Sequence, residues 1–180
     1  SYQHVSRGTF KLKNWDLTIN MLVFECICFM WNINGERWFM NIEKMKIAVE
    51  QAKKAIEFDE IPVGCAIFRG DELISCGYNR KETLNDATLH AEIVAISEAC
   101  KKIGDWRLDD CAIYITLEPC MMCMGAIIES RIKTVYYGTE NNNEQMYDNN
   151  CLKSLISIEN LNDVECSKLL SDFFKKKRKK

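Results

Sequence analysis

Two kinds of apolar pattern alternate along the chain, and this alternation is the strongest constraint on its fold. Segments with a helical period of apolar residues predict helices at 41–58, 90–103, 120–130 and 163–174. Short apolar segments between them predict strands at 62–68, 72–76, 111–117 and 135–138. Loops are predicted at 79–89 and 140–150, whereas 152–161 fits either a strand or a loop. Helices that alternate with strands in this way indicate an α/β protein.

The length of 180 residues favours one domain with a substantial core. We predict that this domain covers 40–174, after an N-terminal extension at 1–39 and before a basic tail at 175–180. The extension contains apolar clusters with tryptophan but has no clear period, and it ends directly before Met40. It is either a segment that packs on the domain or sequence upstream of a natural start at Met40, and we favour the second interpretation.

Charge and cysteine content favour a protein of the reducing cytoplasm. The net charge is -2, but the last six residues are all basic, so the rest of the chain is acidic. Ten cysteines in a chain with regular apolar periods are not typical of a small disulfide scaffold. The apolar segment 17–31 is short and contains a glutamate, so we predict no membrane span. Four cysteines in apolar segments are expected to be buried thiols: Cys65, Cys76, Cys100 and Cys111.

Two short motifs contain the residues best suited to chemistry. His90-Ala91-Glu92 begins one predicted helix, and Pro119-Cys120-Met121-Met122-Cys123 begins another. Zinc binds imidazole nitrogen and thiolate sulfur, and the start of a helix favours thiolates. His90 and the two cysteines therefore predict a zinc site. The other histidine of the chain lies in the N-terminal extension, and a site with three protein ligands keeps a position for water, as catalytic zinc sites do.

Glu92 completes the predicted site because it lies two residues from a ligand without being needed as one. Zinc lowers the pKa of a bound water to about 7, and a nearby carboxylate can carry the proton to a ring nitrogen and then to a leaving amine. A Cys-x-x-Cys pair alone also fits redox chemistry or a structural zinc site. The two motifs together, each at a helix start, are much more specific.

These motifs resemble those of the cytidine-deaminase-like superfamily. Within it, further segments resemble the bacterial tRNA-specific adenosine deaminases: Ile61–Gly64, Gly77–Arg80, Asp105–Leu108, Thr116–Ala126, Ser130–Ile132 and Leu169–Phe174. The resemblance covers 41–178 and makes 40–174 a zinc-dependent deaminase domain. The fold that it implies is a three-layer α/β/α arrangement with a mixed five-stranded central sheet.

The activity implied by the resemblance is hydrolytic deamination of adenosine to inosine at the wobble position of tRNA anticodons. A zinc-bound hydroxide would attack the base, with Glu92 as the proton shuttle. The implied enzyme is a cytoplasmic homodimer with one zinc per subunit, and its partner is the tRNA anticodon stem-loop. One alternative is a zinc deaminase acting on a free base, nucleoside or nucleotide, such as cytidine, deoxycytidylate or guanine. Another is a non-catalytic zinc-binding partner subunit.

The resemblance also implies a role for individual residues. His90, Cys120 and Cys123 would hold zinc, and the remaining roles concern the substrate. Asn79 would hydrogen-bond the purine, the Ala91 backbone would read the same base edge, Pro62 and Val63 would form a wall, and Phe173 and Phe174 would line the substrate groove. Pro62 and Val63 fit a core strand start equally well, and the two phenylalanines fit plain core positions equally well.

Two segments depart from the family pattern. Leu89 stands where the family usually has a small residue before the ligand histidine. The segment Thr139–Asn143 stands where the family usually has an Arg-Asp or similar pair with glycines. The first departure would alter how the loop approaches the pocket, and the second would alter the affinity for tRNA more than the chemistry.

Overall fold

The computed structural model describes Arg37, residues 39–141 and residues 155–178. The chain divides into two compact units, Ser1–Phe39 and Met40–Lys180, and the fold below is that of the second unit. The predictions for the segment 17–31 and for most of the loop at 140–150 lie outside the described residues.

Five helices and five strands are defined in the described part of the chain. The helices are α1 (39–57), α2 (Lys81–Leu84), α3 (Ala91–Ile103), α4 (Met121–Glu129) and α5 (Val164–Lys177). The strands are β1 (Gly64–Arg69), β2 (Glu72–Tyr78), β3 (Cys111–Leu117), β4 (Thr134–Thr139) and β5 (Ser157–Asn160).

The strands form a single mixed sheet in the order β2-β1-β3-β4-β5. Strand β1 is antiparallel to both of its neighbours, β2 and β3. Strands β3, β4 and β5 are parallel to one another. The mixed five-stranded sheet implied by the family resemblance is therefore confirmed.

Helices cover both faces of the sheet because side chains alternate along each strand. Ile67 of β1 packs in a core that includes Ala95 of α3 and Ile127 of α4. Its neighbour Ala66 packs on the opposite face, in a core with Met45 of α1 and with residues of α5. These two cores, one on each side of the sheet, confirm the three-layer α/β/α arrangement.

Two glycines let helices lie directly against strand backbone. A Cβ atom at Gly77 of β2 would approach the Ala91 carbonyl oxygen of α3 to 2.7 Å, closer than real Cβ contacts. A Cβ atom at Gly64 of β1 would collide with the backbone of α1 in the same way. The close contact at Gly77 fixes the first turn of α3, which carries the predicted site residues, against the sheet.

The predicted bounds of β1, β2 and β4 differ from the observed ones by one or two residues, and β1 begins at Gly64 instead of Pro62. Three segments differ more. The predicted loop at 79–89 contains the short helix α2. The Thr83 backbone N–H of this helix donates a hydrogen bond of 2.6 Å to the Glu60 carboxylate. The ambiguous segment 152–161 contains a strand, β5, in its described part. Helix α5 continues three residues past the predicted end, and the lysines of its last turn interact favourably with the helix dipole.

The cysteines of the described residues are free thiols. Cys65 and Cys111 are buried as predicted, whereas Cys76 and Cys100 are only half-buried, at the edges of the two cores. In the described ranges, no helix is long and apolar enough to cross a membrane.

Candidate metal centre and active site

The three predicted metal ligands lie together at the starts of two helices. His90 is the N-cap of α3 and Cys120 is the N-cap of α4, and both have extended backbones without a side-chain capping bond. Cys123 lies in the first turn of α4. His90 Nδ1 is 3.6 Å from the Cys120 sulfur and 3.5 Å from the Cys123 sulfur. The side chains that usually cap a helix are thus replaced here by side chains that face a common point.

The spacing of these donors fits a zinc ion. Tetrahedral zinc has bonds of about 2.0–2.1 Å to nitrogen and about 2.3 Å to sulfur, which places a nitrogen and a sulfur ligand about 3.6 Å apart. The His90 and cysteine distances agree with that value, and all three donor atoms lie within 4.8 Å of one another. Among the described residues, this is the one cluster of three such donors.

The two thiols of the donor cluster differ in their affinity for protons. The hydrogen bonds from Cys123 and then from His90 lower the pKa of Cys120 to about 3. The same bond to Cys120, together with burial, raises the pKa of Cys123. The lowered pKa favours the thiolate form of Cys120, which is the form that binds metal.

Glu92 lies in the first turn of α3, two residues after the predicted ligand His90. Its side chain is 3% exposed, and burial raises the pKa of the carboxyl group. Its Oε2 atom is buried and has no hydrogen-bond partner within the described protein. Such atoms are rare in native structures and mark places where a ligand or a reaction supplies the partner. The orphaned oxygen and the adjoining donors together fit a catalytic metal site.

A cavity of about 720 Å³ opens onto these residues, and its lining includes His90, Glu92 and Cys120. This volume is typical of a small-molecule site. Phe174, which is 45% exposed, and the exposed Arg178 line the same cavity. The cavity therefore has a floor with the buried Glu92 and the half-buried His90 and Cys120, and a mouth with an exposed aromatic ring and an exposed cation.

Asn79 is a buried residue of the cavity lining. It lines the cavity but is only 5% exposed. Its Nδ2 atom donates to Glu60 Oε2 at 3.1 Å, and its backbone N–H donates to the Val63 carbonyl at 3.0 Å. Val63 also lines the cavity. The backbone hydrogen bond between Asn79 and Val63 therefore holds these two predicted substrate residues together at the cavity.

Three other predicted substrate residues are placed away from the cavity surface. Pro62 is fully buried, and Ala91 has no exposed surface. Phe173 is 8% exposed and lines a neighbouring groove, where the Lys177 ammonium lies 5.3 Å from its ring centroid. Direct side-chain contact of Pro62 or Phe173 with a substrate gains no support from these positions. The role predicted for Ala91 concerns its backbone, and this role stays a prediction.

The cavity has further lining residues that sequence reasoning did not identify. Lys81 and Glu118 line it, and Glu118 Oε2 accepts a hydrogen bond from the Asn141 backbone N–H at 3.1 Å. Glu118 lies within the Thr-Leu-Glu-Pro-Cys segment that resembles the family, and this resemblance could have identified it as a site residue. The segment Thr139–Asn143 departs from the family pattern, and its first three residues also line the cavity. Its other two residues lie outside the described residues. Leu89 is half-buried.

Comparison with known proteins agrees with this geometry. The family model of MafB19-like deaminases matches residues 38–178. The tRNA-specific adenosine deaminase of Bacillus subtilis (strain 168) is 38% identical over 146 residues, which are 76% of this chain and 89% of that protein.

Solved structures extend the comparison. One, from a study of A-to-I editing by tRNA:A34 deaminases at the wobble position, has a TM-score of 0.63 and 31% identity and covers 72% of this chain and 99% of its own. A guanine deaminase from Nitrosomonas europaea has a TM-score of 0.66 and 26% identity, covering 72% of this chain and 82% of its own. The chain therefore belongs to the tRNA-specific adenosine deaminase family, among the deaminases of the cytidine-deaminase-like fold.

Proposed function

We propose that this protein deaminates adenosine to inosine at the wobble position of tRNA anticodons by zinc-dependent hydrolysis. The observation that carries the chemistry is the buried Glu92 oxygen without a partner, beside the three donors of the metal centre. The relatives named as tRNA-specific adenosine deaminases support the substrate.

The residues of the floor would have two different chemical roles, metal binding and proton transfer. His90, Cys120 and Cys123 would hold the zinc ion, which would supply a Lewis acid that makes water a strong nucleophile at neutral pH. Glu92 would take a proton from the attacking water and deliver it to a ring nitrogen of adenine. It would then pass the second proton to the leaving amine, so that water and adenosine become inosine and ammonia and Glu92 returns to its starting state.

The mouth of the cavity supports an RNA substrate over a free base. A base in a single-stranded loop can leave its stack at low energetic cost and enter a pocket. The exposed Phe174 ring could stack against a neighbouring base, and Lys81 and Arg178 are exposed cations of the cavity lining that could contact backbone phosphate. Asn79 would hydrogen-bond the purine within the pocket.

The wider properties of the enzyme belong to the same proposal. We infer a cytoplasmic homodimer with one zinc per subunit, supported by the family resemblance. The family match to 38–178 supports the proposed domain at 40–174. The proposed extension at 1–39 and basic tail at 175–180 flank this domain, and the first three tail residues continue α5. Sedimentation of the zinc-loaded protein would test the dimer directly, since a monomer at micromolar concentration would contradict it.

A deamination assay with defined RNA tests the proposed function. The zinc-loaded protein is incubated with an anticodon stem-loop whose anticodon begins with adenosine, and inosine is read as guanosine by sequencing. The expected result is conversion at the wobble adenosine alone, which is lost on chelation and restored by zinc. The same loop with its adenosine moved to another anticodon position is the control.

A second candidate, deamination of free guanine, is favoured by the similarity to the guanine deaminase structure. Release of ammonia from guanine, without inosine in the stem-loop, would replace the proposed function with this candidate. A non-catalytic partner subunit would give neither product.

A further inference from the structure

Glu60 is a buried carboxylate outside the motifs that predicted the site. It has no exposed surface and lies between α1 and the segment that leads into β1. Fully buried glutamates are rare unless they are paired. Glu60 Oε2 accepts from Asn79 Nδ2 at 3.1 Å, and Oε1 accepts from the Thr83 backbone N–H at 2.6 Å. Both oxygens are thus used to bind parts of the chain that are far from Glu60 in sequence.

The polarity of this arrangement fixes the orientation of the Asn79 amide. The two ends of an asparagine amide have nearly the same shape, so packing alone does not distinguish its oxygen from its nitrogen. A carboxylate offers only acceptors, and therefore the NH₂ group of Asn79 must face Glu60. The Asn79 carbonyl oxygen must then lie on the other side of the amide, away from Glu60.

Asn79 lines the cavity beside His90 and Glu92, so its orientation determines which hydrogen bonds the base meets. We propose that Glu60 is a positioning residue that sets substrate recognition by fixing the Asn79 amide. This inference rests on the proposed function, in which Asn79 binds the purine. The bond to Thr83 ties the same carboxylate to α2, which carries Lys81 to the cavity.

Glu60→Gln tests the polarity with almost no change of shape. The Thr83 N–H still requires an acceptor, so the oxygen of the introduced amide faces Thr83 and its NH₂ group faces Asn79. Asn79 can then pair only by turning its carbonyl oxygen inward, which inverts the groups that it offers to the base. We expect kcat/KM for the stem-loop to fall about tenfold or more, as when a buried polar group meets an unmatched partner, with unchanged zinc content.

Glu60→Asp is the matched comparison because it keeps the acceptor-only chemistry but shortens the side chain. If polarity is decisive, the aspartate variant retains more activity than the glutamine variant, despite its larger change of shape. Equal or higher activity of the glutamine variant would overturn the inference.

A double-mutant cycle separates positioning from mere support of the fold. In an Asn79→Ala background, Glu60→Gln is expected to change kcat/KM by less than about twofold, because its effect acts through Asn79. The same loss in both backgrounds would contradict the inference. If the glutamine variant does not fold, the cycle is run with Glu60→Asp and is read in the same way.

Two controls complete the test. Tyr114→Phe removes a buried hydrogen bond to Asn41, 2.8 Å long, at a site that does not line the cavity. It is expected to lower Tm without changing kcat/KM. This is the pattern that a purely structural loss would give. Wild-type protein that makes no inosine would refute the proposed function, whereas active wild type with additive Glu60 and Asn79 effects would refute this inference alone.

Discussion

The floor of the cavity, formed by His90, Glu92 and Cys120, is more deeply buried than its mouth, where Phe174 and Arg178 are exposed. The floor residues lie at the starts of α3 and α4, and both helices pack on the sheet through one core. The mouth residues lie on or just after the last turns of α5, at the surface of the domain. The difference indicates that the reaction depends on a more deeply packed part of the fold, whereas substrate choice depends on a more accessible part.

This comparison predicts two kinds of variant. Changes in the floor should lower metal content or kcat on any substrate, because every substrate meets the same groups. Changes at the mouth should mainly raise KM for RNA and leave the metal and the chemical step unchanged. A mouth variant that lost zinc, or a floor variant that only weakened RNA binding, would show that the two regions are not distinct.

Removal of a metal ligand is expected to have the largest effect. Cys120→Ser should abolish zinc binding and reduce inosine formation to that of the chelated protein, because a hydroxyl is a poor zinc ligand. Zinc content by mass spectrometry and inosine by sequencing measure both results. Cys100→Ser is the control, since Cys100 is also half-buried but lies outside the donor cluster. Retention of zinc and activity in Cys120→Ser would disprove the proposed metal centre.

Loss of the aromatic ring at the mouth is expected to have an intermediate effect. Phe174→Ala should raise KM for the stem-loop about 5- to 150-fold, the loss of one base stack, with little change in kcat. Steady-state kinetics with the RNA stem-loop separates the change in KM from the change in kcat. Trp106→Ala removes a ring that is 53% exposed but does not line the cavity, and it should leave KM unchanged. An unchanged KM in Phe174→Ala would exclude stacking on this ring.

Loss of the cation at the mouth is expected to have the smallest effect. Arg178→Ala should make RNA binding less dependent on salt, with the slope of log affinity against log salt reduced by about 0.7 for one phosphate contact. Filter binding over a range of salt concentrations measures this slope. Lys101→Ala, which removes an exposed lysine paired with Glu98 on α3, should leave the slope unchanged. The same slope in both variants would remove Arg178 from the RNA interface.

The floor could be predicted from the sequence because its residues form two short motifs whose combined chemistry is specific. A histidine and a glutamate two residues apart, and two cysteines three residues apart, each lie within one helix turn, so local structure brings together the members of each motif. The two motifs are 30 residues apart, and they were assigned to one site from the ligands that zinc prefers and from the family resemblance. The mixed five-stranded sheet and the three-layer arrangement came from the family resemblance, and the strand order was not predicted, since periodicity does not say which strands are neighbours.

The mouth could not be predicted to the same level. Phe173 and Phe174 are adjacent on α5, so they point about 100° apart around the helix and cannot both face the cavity. The sequence offered no means of choosing between them, and in the fold Phe173 is buried whereas Phe174 is exposed. Glu60 was missed for a similar reason, because its partners are 19 and 23 residues away and are brought to it only by the fold.

The most direct test of the central claim is the rate of the zinc-loaded Glu92→Gln variant on the anticodon stem-loop. Glu98→Gln, an exposed position on the same helix, is the matched control. We predict that Glu92→Gln keeps its zinc but loses about 10²- to 10⁴-fold in kcat, as expected for a lost general acid and base, and that Glu98→Gln matches the wild type. A Glu92→Gln variant with bound zinc and a wild-type rate would contradict the account.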